Sequence, residues 1–177
     1  NAQSCNSGEY SDSCGIYMFS YSGHAEINVE YSSIKAHGGS TEGKHSNSYG
    51  ILTKNSSGDI EVKAEHGSIE AQGSSAGNSS YGIFASSNSG NVKLMSIDKG
   101  SINAQSGSAK GEYSGSYGIS AVSNSENLEV TANSGSIKAI GNNAEGEYSD
   151  SYGISLYSPY GNAAVNVREG GSIKAQG

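Results

Sequence analysis

The chain has 177 residues, among them 26 glycines, one proline and no tryptophan, and at 33% hydrophobic residues it is too poor in apolar side chains for an ordinary globular core. Its net charge of -7, from 17 acidic against 10 basic residues, argues against nucleic acid, whose phosphates call for a basic face. No apolar run approaches the roughly 20 residues of a membrane helix, so this segment is expected not to insert into a membrane, and any export signal is expected outside it.

Composition alone would suggest disorder, and repetition overturns it. Asn1-Ala2-Gln3-Ser4 matches Asn103-Ala104-Gln105-Ser106, so the segment starts inside a repeat. A junction then recurs: Ser13-Cys14-Gly15-Ile16, Ser48-Tyr49-Gly50-Ile51, Ser80-Tyr81-Gly82-Ile83, Ser116-Tyr117-Gly118-Ile119 and Ser151-Tyr152-Gly153-Ile154. Its glycines are 35, 32, 36 and 35 positions apart. A second apolar island gives Ile27 and Val29, Ile60 and Val62, Val92 and Leu94, Leu128 and Val130, then Val165 and Val167. A third gives Ile34 with Ala36, Ile69 with Ala71, Ile102 with Ala104, Ile137 with Ala139, and Ile173 with Ala175.

Within an island every second residue is apolar, which sends those side chains to one side of an extended strand. Tyr117, Ile119 and Ala121 are thereby expected on one face. Islands start too close together for a helix and its connections, and Ser, Asn and Gly between them suit tight corners. The spacing predicts an all-β fold: a single-stranded parallel β-helix, or β-solenoid, with three short strands per coil and about five coils of roughly 35 residues. Residues 1–177 form one domain in this reading, either a segment of a longer array or a stackable filament subunit.

Stacked coils would put Ile16, Ile51, Ile83, Ile119 and Ile154 in one interior column and Ile34, Ile69, Ile102, Ile137 and Ile173 in another. Lys35, Glu70, Asn103, Lys138 and Lys174 follow the latter and should point outward. Leu94-Met95-Ser96-Ile97 breaks the alternation and suggests a bulge. The stretch after each third strand, such as 142–150, is expected to project as a loop.

Tyr49, Tyr81, Tyr117 and Tyr152 share one repeat position and should form a ladder, structural or able to recognise a sugar. Cys14 is its fifth member. With Cys5 it supplies the only two thiols, which fit a disulfide in an exported protein, two free thiols or an intermolecular bridge. Tyr10, Tyr113 and Tyr148 lie in Gly-Glu-Tyr-Ser loops beside Glu9, Glu112 and Glu147. They suit loop-to-loop packing, or contact with carbohydrate, a cation or another partner. His24, His37, His45 and His66 occupy different repeat positions and form no ligand set with the cysteines, so no metal or cofactor is expected. A single arginine, Arg168, and evenly spread charges argue against the convergent carboxylates of a β-helical polysaccharide enzyme.

The repeated Tyr-Gly-Ile, together with Gly-Asp-Ile-Glu-Val at 58–62 and Gly-Ser-Ile-Glu-Ala at 67–71, resembles the passenger repeats of bacterial autotransporter and filamentous haemagglutinin-like adhesins. The likeness runs the length of the chain. It implies a secreted, right-handed, non-catalytic β-helical stalk displayed on the outer surface of a Gram-negative cell, with adhesion or matrix formation as its role; a carbohydrate or host surface is the partner expected of such a stalk. A subunit of an extracellular fibre built by end-to-end strand stacking is the alternative, and a carbohydrate-active enzyme a more remote one.

Overall fold

The computed structural model describes residues 2–3 and 12–177, and every regular element among them is a strand. A short β1 (Ala2–Gln3) precedes five coils of three strands. Coil one holds β2 (Ser13–Ser20), β3 (Ala25–Glu30) and β4 (Ser33–His37). Coil two holds β5 (Ser48–Asn55), β6 (Ile60–Glu65) and β7 (Ser68–Gln72). Coil three holds β8 (Ser80–Ser87), β9 (Val92–Ile97) and β10 (Ser101–Gln105). Coil four holds β11 (Gly115–Ser123), β12 (Leu128–Asn133) and β13 (Ser136–Ile140), and coil five β14 (Asp150–Tyr157), β15 (Ala163–Arg168) and β16 (Ser172–Gln176).

Like strands of consecutive coils pair in parallel to give three sheets. The first is β2-β5-β8-β11-β14, the second β3-β6-β9-β12-β15, and the third β1-β4-β7-β10-β13-β16. The chain is therefore a parallel β-solenoid of five coils. Pairing is one-to-one: Ile16, Ile51, Ile83, Ile119 and Ile154 stand in register, as do Ile34, Ile69, Ile102, Ile137 and Ile173. Ile51, Ile83 and Ile119 are fully buried. Their β-branched side chains suit a pleated surface, and each fills space that one coil alone could not enclose. Lys35, Glu70, Asn103, Lys138 and Lys174 follow one another along the third sheet, and Lys35 Nζ lies 2.7 Å from a Glu70 carboxylate oxygen.

Three expectations need correction. In the second sheet Ile27 pairs with Val62, not Ile60, and Val29 with Ala64. Ala25 is the partner of Ile60, and Ala163 that of Leu128. Each strand here has three inward positions, and the small alanines at its start gave no sign of the true register. β9 carries no bulge, for it pairs residue by residue with β6 and β12. Ser96 points inward where Ala64 and Ala132 stand, and its hydroxyl donates to the Gly100 carbonyl at 2.6 Å. The extra residue sits in the following corner, where Asp98 and Lys99 adopt φ of 45° and 65°.

Tyr-Gly-Ile also departs from the expected alternation. Tyr81 is partly exposed while Gly82 and Ile83 are both buried, so the alternation resets at the glycine, and the tyrosines stand outside the cluster of Ile, Val, Leu and Ala even where, as at Tyr49, they are buried. Both partners of each first-sheet pair skip that glycine in register. The reset brings its Cα against the end of the third-sheet strand. A Cβ on Gly82 would lie 2.6 Å from the Gly118 carbonyl oxygen and 2.8 Å from the Ala104 carbonyl carbon. Only glycine fits there.

The serine before each tyrosine ties the coil to its loops. Ser80 Oγ donates to Ser74 O at 2.8 Å and accepts from Gly107 N–H at 2.8 Å. Ser116 Oγ likewise donates to Gly107 O at 2.9 Å and accepts from Asn142 N–H at 3.0 Å. Thr53 lacks such company. It faces inward between Met18 and Ala85, 1% exposed, and its hydroxyl has no hydrogen-bond partner. Thr53→Val keeps the shape and removes the buried orphan, so it should raise unfolding free energy by about 1 kcal/mol in urea titration.

Candidate functional site

Two aromatic tracks run along the outside of the solenoid. In the first, Tyr49 and Tyr81 stack at 4.9 Å between ring centroids, Tyr81 and Tyr117 at 5.0 Å, and Tyr117 and Tyr152 at 5.6 Å. The rings lie within 14° of parallel, and Phe84 packs edge-on against Tyr49 and Tyr81. The expected ladder is therefore present. Only Tyr152, in coil five, is well exposed, so the track offers ring edges more than open faces.

Burial sets the chemistry of this track. It pushes the Tyr81 hydroxyl up to about 12, raises Tyr49 further with help from the negative charge of Asp12, and raises Tyr117. The folded state thus prefers neutral phenols. Above the ordinary tyrosine value of 10.0 the unfolded chain gives up protons that the fold still holds. Stability contributed by the ladder is full below about pH 10 and should fall as pH rises through about 12. Alkaline melting curves check this: the combined Tyr49→Phe, Tyr81→Phe and Tyr117→Phe variant should lose much of that drop.

Cys14 stands in register beside Tyr49 at the head of the track. Burial, and then Asp12, push its thiol up to about 11, which keeps it protonated and a poor nucleophile near neutral pH. Cys5 and Tyr10 lie outside the described residues, so the disulfide and the first loop tyrosine do as well.

The second track lies at the tips of the loops that follow each third strand. Tyr113 and Tyr148 are exposed and stack at 5.2 Å with 8° between planes, and Tyr148 N–H donates to Glu112 O at 2.9 Å. Gly43, Gly77, Gly111 and Gly146 lie over one another, because a Cβ on each of the last three would strike the carbonyl oxygen of the one before. Ala76, Ala109 and Ala144 are bridged in parallel alongside them.

This register shows what sequence spacing had hidden. The glycine spacing of 32 between coils two and three, against 35 before it, leaves the loop at 73–79 three residues short. Asn78 N–H donates to Ser46 O at 2.9 Å, so nothing in this loop corresponds to Lys44-His45 or Glu112-Tyr113. Between Ala76 and Gly77 it also lacks the counterpart of Glu42 and Lys110. A cleft of about 940 Å³ opens at the gap, walled by Glu42, Lys44 and His45 on one side and Lys110, Glu112 and Tyr113 on the other, with Ala76, Gly77 and Asn78 as its floor. Thr41 also lines it. That residue is 3% exposed and its hydroxyl has no hydrogen-bond partner.

Two further side-chain sets occupy corners. Asp59 Oδ1 accepts from Asn91 N–H at 2.8 Å, and Asn127 Oδ1 accepts from Asn162 N–H at 2.9 Å, part of an Asx ladder before the second-sheet strands. Glu65, His66 and Asp98 bring three donor atoms within 4.8 Å of one another, a grouping across coils that the separate histidine positions did not reveal. The Glu65 carboxylate there is paired with Lys63 at 2.5 Å, which holds its acid below the usual carboxylate range and competes with a cation. His66 stacks on Tyr31 at 4.7 Å.

The fold and its outer tracks define the chain as a parallel β-solenoid repeat protein. Comparison with family models, with curated proteins and with solved structures finds no match.

Proposed function

We propose that the chain is a rigid, non-catalytic extracellular element, a length of stalk that holds an adhesive surface away from the cell displaying it. One observation carries this reading: three sheets run through all five coils in one-to-one register over an uninterrupted core of Ile, Val, Leu and Ala. Backbone hydrogen bonds in such a rod lie along its axis, about 4.8 Å per coil, so bending or stretching it strains every sheet at once. The sequence likeness to adhesin passenger repeats supports the same role.

Beads coated with the purified chain provide the test. Retention on host-cell or matrix surfaces, with no product released from a polysaccharide panel, supports an adhesive stalk. Depolymerising activity without retention would replace it with the enzyme reading. A second reading rests on the same in-register pairing of all three sheets, which further copies could continue along the axis. End-to-end stacking of copies would build a fibre, and filaments in electron micrographs would establish it.

A further inference from the structure

We infer that the cleft left by the short loop at 73–79 is a binding slot for one uncharged pyranose residue of a glycan, held face-on between His45 and Tyr113. In the loop track, neighbouring rings stack at 5.2 Å, as Tyr113 and Tyr148 do. His45 and Tyr113 both line the cleft and belong to loops two coils apart, so the two residues stand two rungs, roughly 10 Å, from each other along the axis. The loop between them supplies no rung. The opening admits one ring of about the thickness of a missing side chain, and the chain provides a ring on each side to receive it.

The lining selects the kind of ring. Around the rim, Glu42 and Glu112 balance Lys44 and Lys110, which supplies donors and acceptors with no net charge to attract an ion. The C–H faces of a pyranose suit stacking on Tyr113, and its equatorial hydroxyls point toward that polar rim. The slot is a property of this one loop. Its failure to bind sugar would leave the stalk reading standing, and loss of the stalk reading would leave the slot.

The test is an amide NMR titration of the purified chain with the methyl glycosides of glucose, galactose, mannose and N-acetylglucosamine, with phenol as a flat competitor. At least one sugar is expected to shift residues 40–45, 75–78 and 110–113 together. Tyr113→Ala should weaken that sugar about tenfold, while Tyr160→Ala, far along the chain on coil five, should leave it unchanged. Inserting Lys after Ala76 and Glu-Tyr after Gly77 restores a full-length loop and should abolish binding without lowering the melting temperature. No shift at saturating sugar, shifts elsewhere, binding that survives the insertion, or binding of phenol alone would each overturn the assignment.

Discussion

Ile119→Ala should lower the free energy of unfolding by about 2–5 kcal/mol. Ile119 is fully buried, between Ile83 and Ile154 in the first-sheet column, and no loop can collapse into the space it would leave. A core this thin has few large side chains, so each one carries more of the total. Ile154→Ala should cost clearly less, because Ile154 in coil five is only partly buried. Urea titrations of the two variants, followed by far-ultraviolet circular dichroism, read the difference; equal and small losses would mean that position in the column does not matter.

Gly118→Ala should cost about 3 kcal/mol although it adds one methyl group and removes nothing. The new Cβ would meet the Gly153 carbonyl oxygen at 2.7 Å and the Ala139 carbonyl carbon at 2.8 Å. Both are backbone atoms of other strands, so there is no flexible side-chain end to yield. The clash would push the first sheet away from the third at the point where the tyrosine turns outward and the isoleucine inward. Asn124→Ala, at an exposed corner of the same coil, should change stability by less than about 0.5 kcal/mol. A Gly118→Ala protein as stable as the parent would show that the close approach does not exist.

The coil count, the parallel pairing and both isoleucine columns could be read directly, because Ile at a fixed place in every repeat has one simple physical use. The tyrosine ladder was legible for the same reason, since a shared repeat position places like rings over one another. What spacing misjudged were positions where small residues stand for large ones. Ala25 and Ala163 hide the start of the second-sheet strands, and Ser96 reads as an interruption although its hydroxyl is satisfied inside the coil. Tyr and Ile two apart suggest one face, and only the crowding around the intervening glycine reveals the reset between them. The cleft arises from residues that one loop lacks, so no motif marks it. Its only trace in the sequence is the short spacing of 32.

Through-space contacts between isoleucine methyl groups report the stacking of the coils itself. With selective methyl labelling, cross-peaks are expected from Ile51 to Ile83 and from Ile83 to Ile119, residues far apart in sequence and adjacent in one column. Ile34, Ile69, Ile102, Ile137 and Ile173 should give a second chain of such contacts. Cross-peaks that instead join isoleucines three or four residues from other apolar groups on one helical face, or no contact between Ile83 and either neighbour, would contradict it.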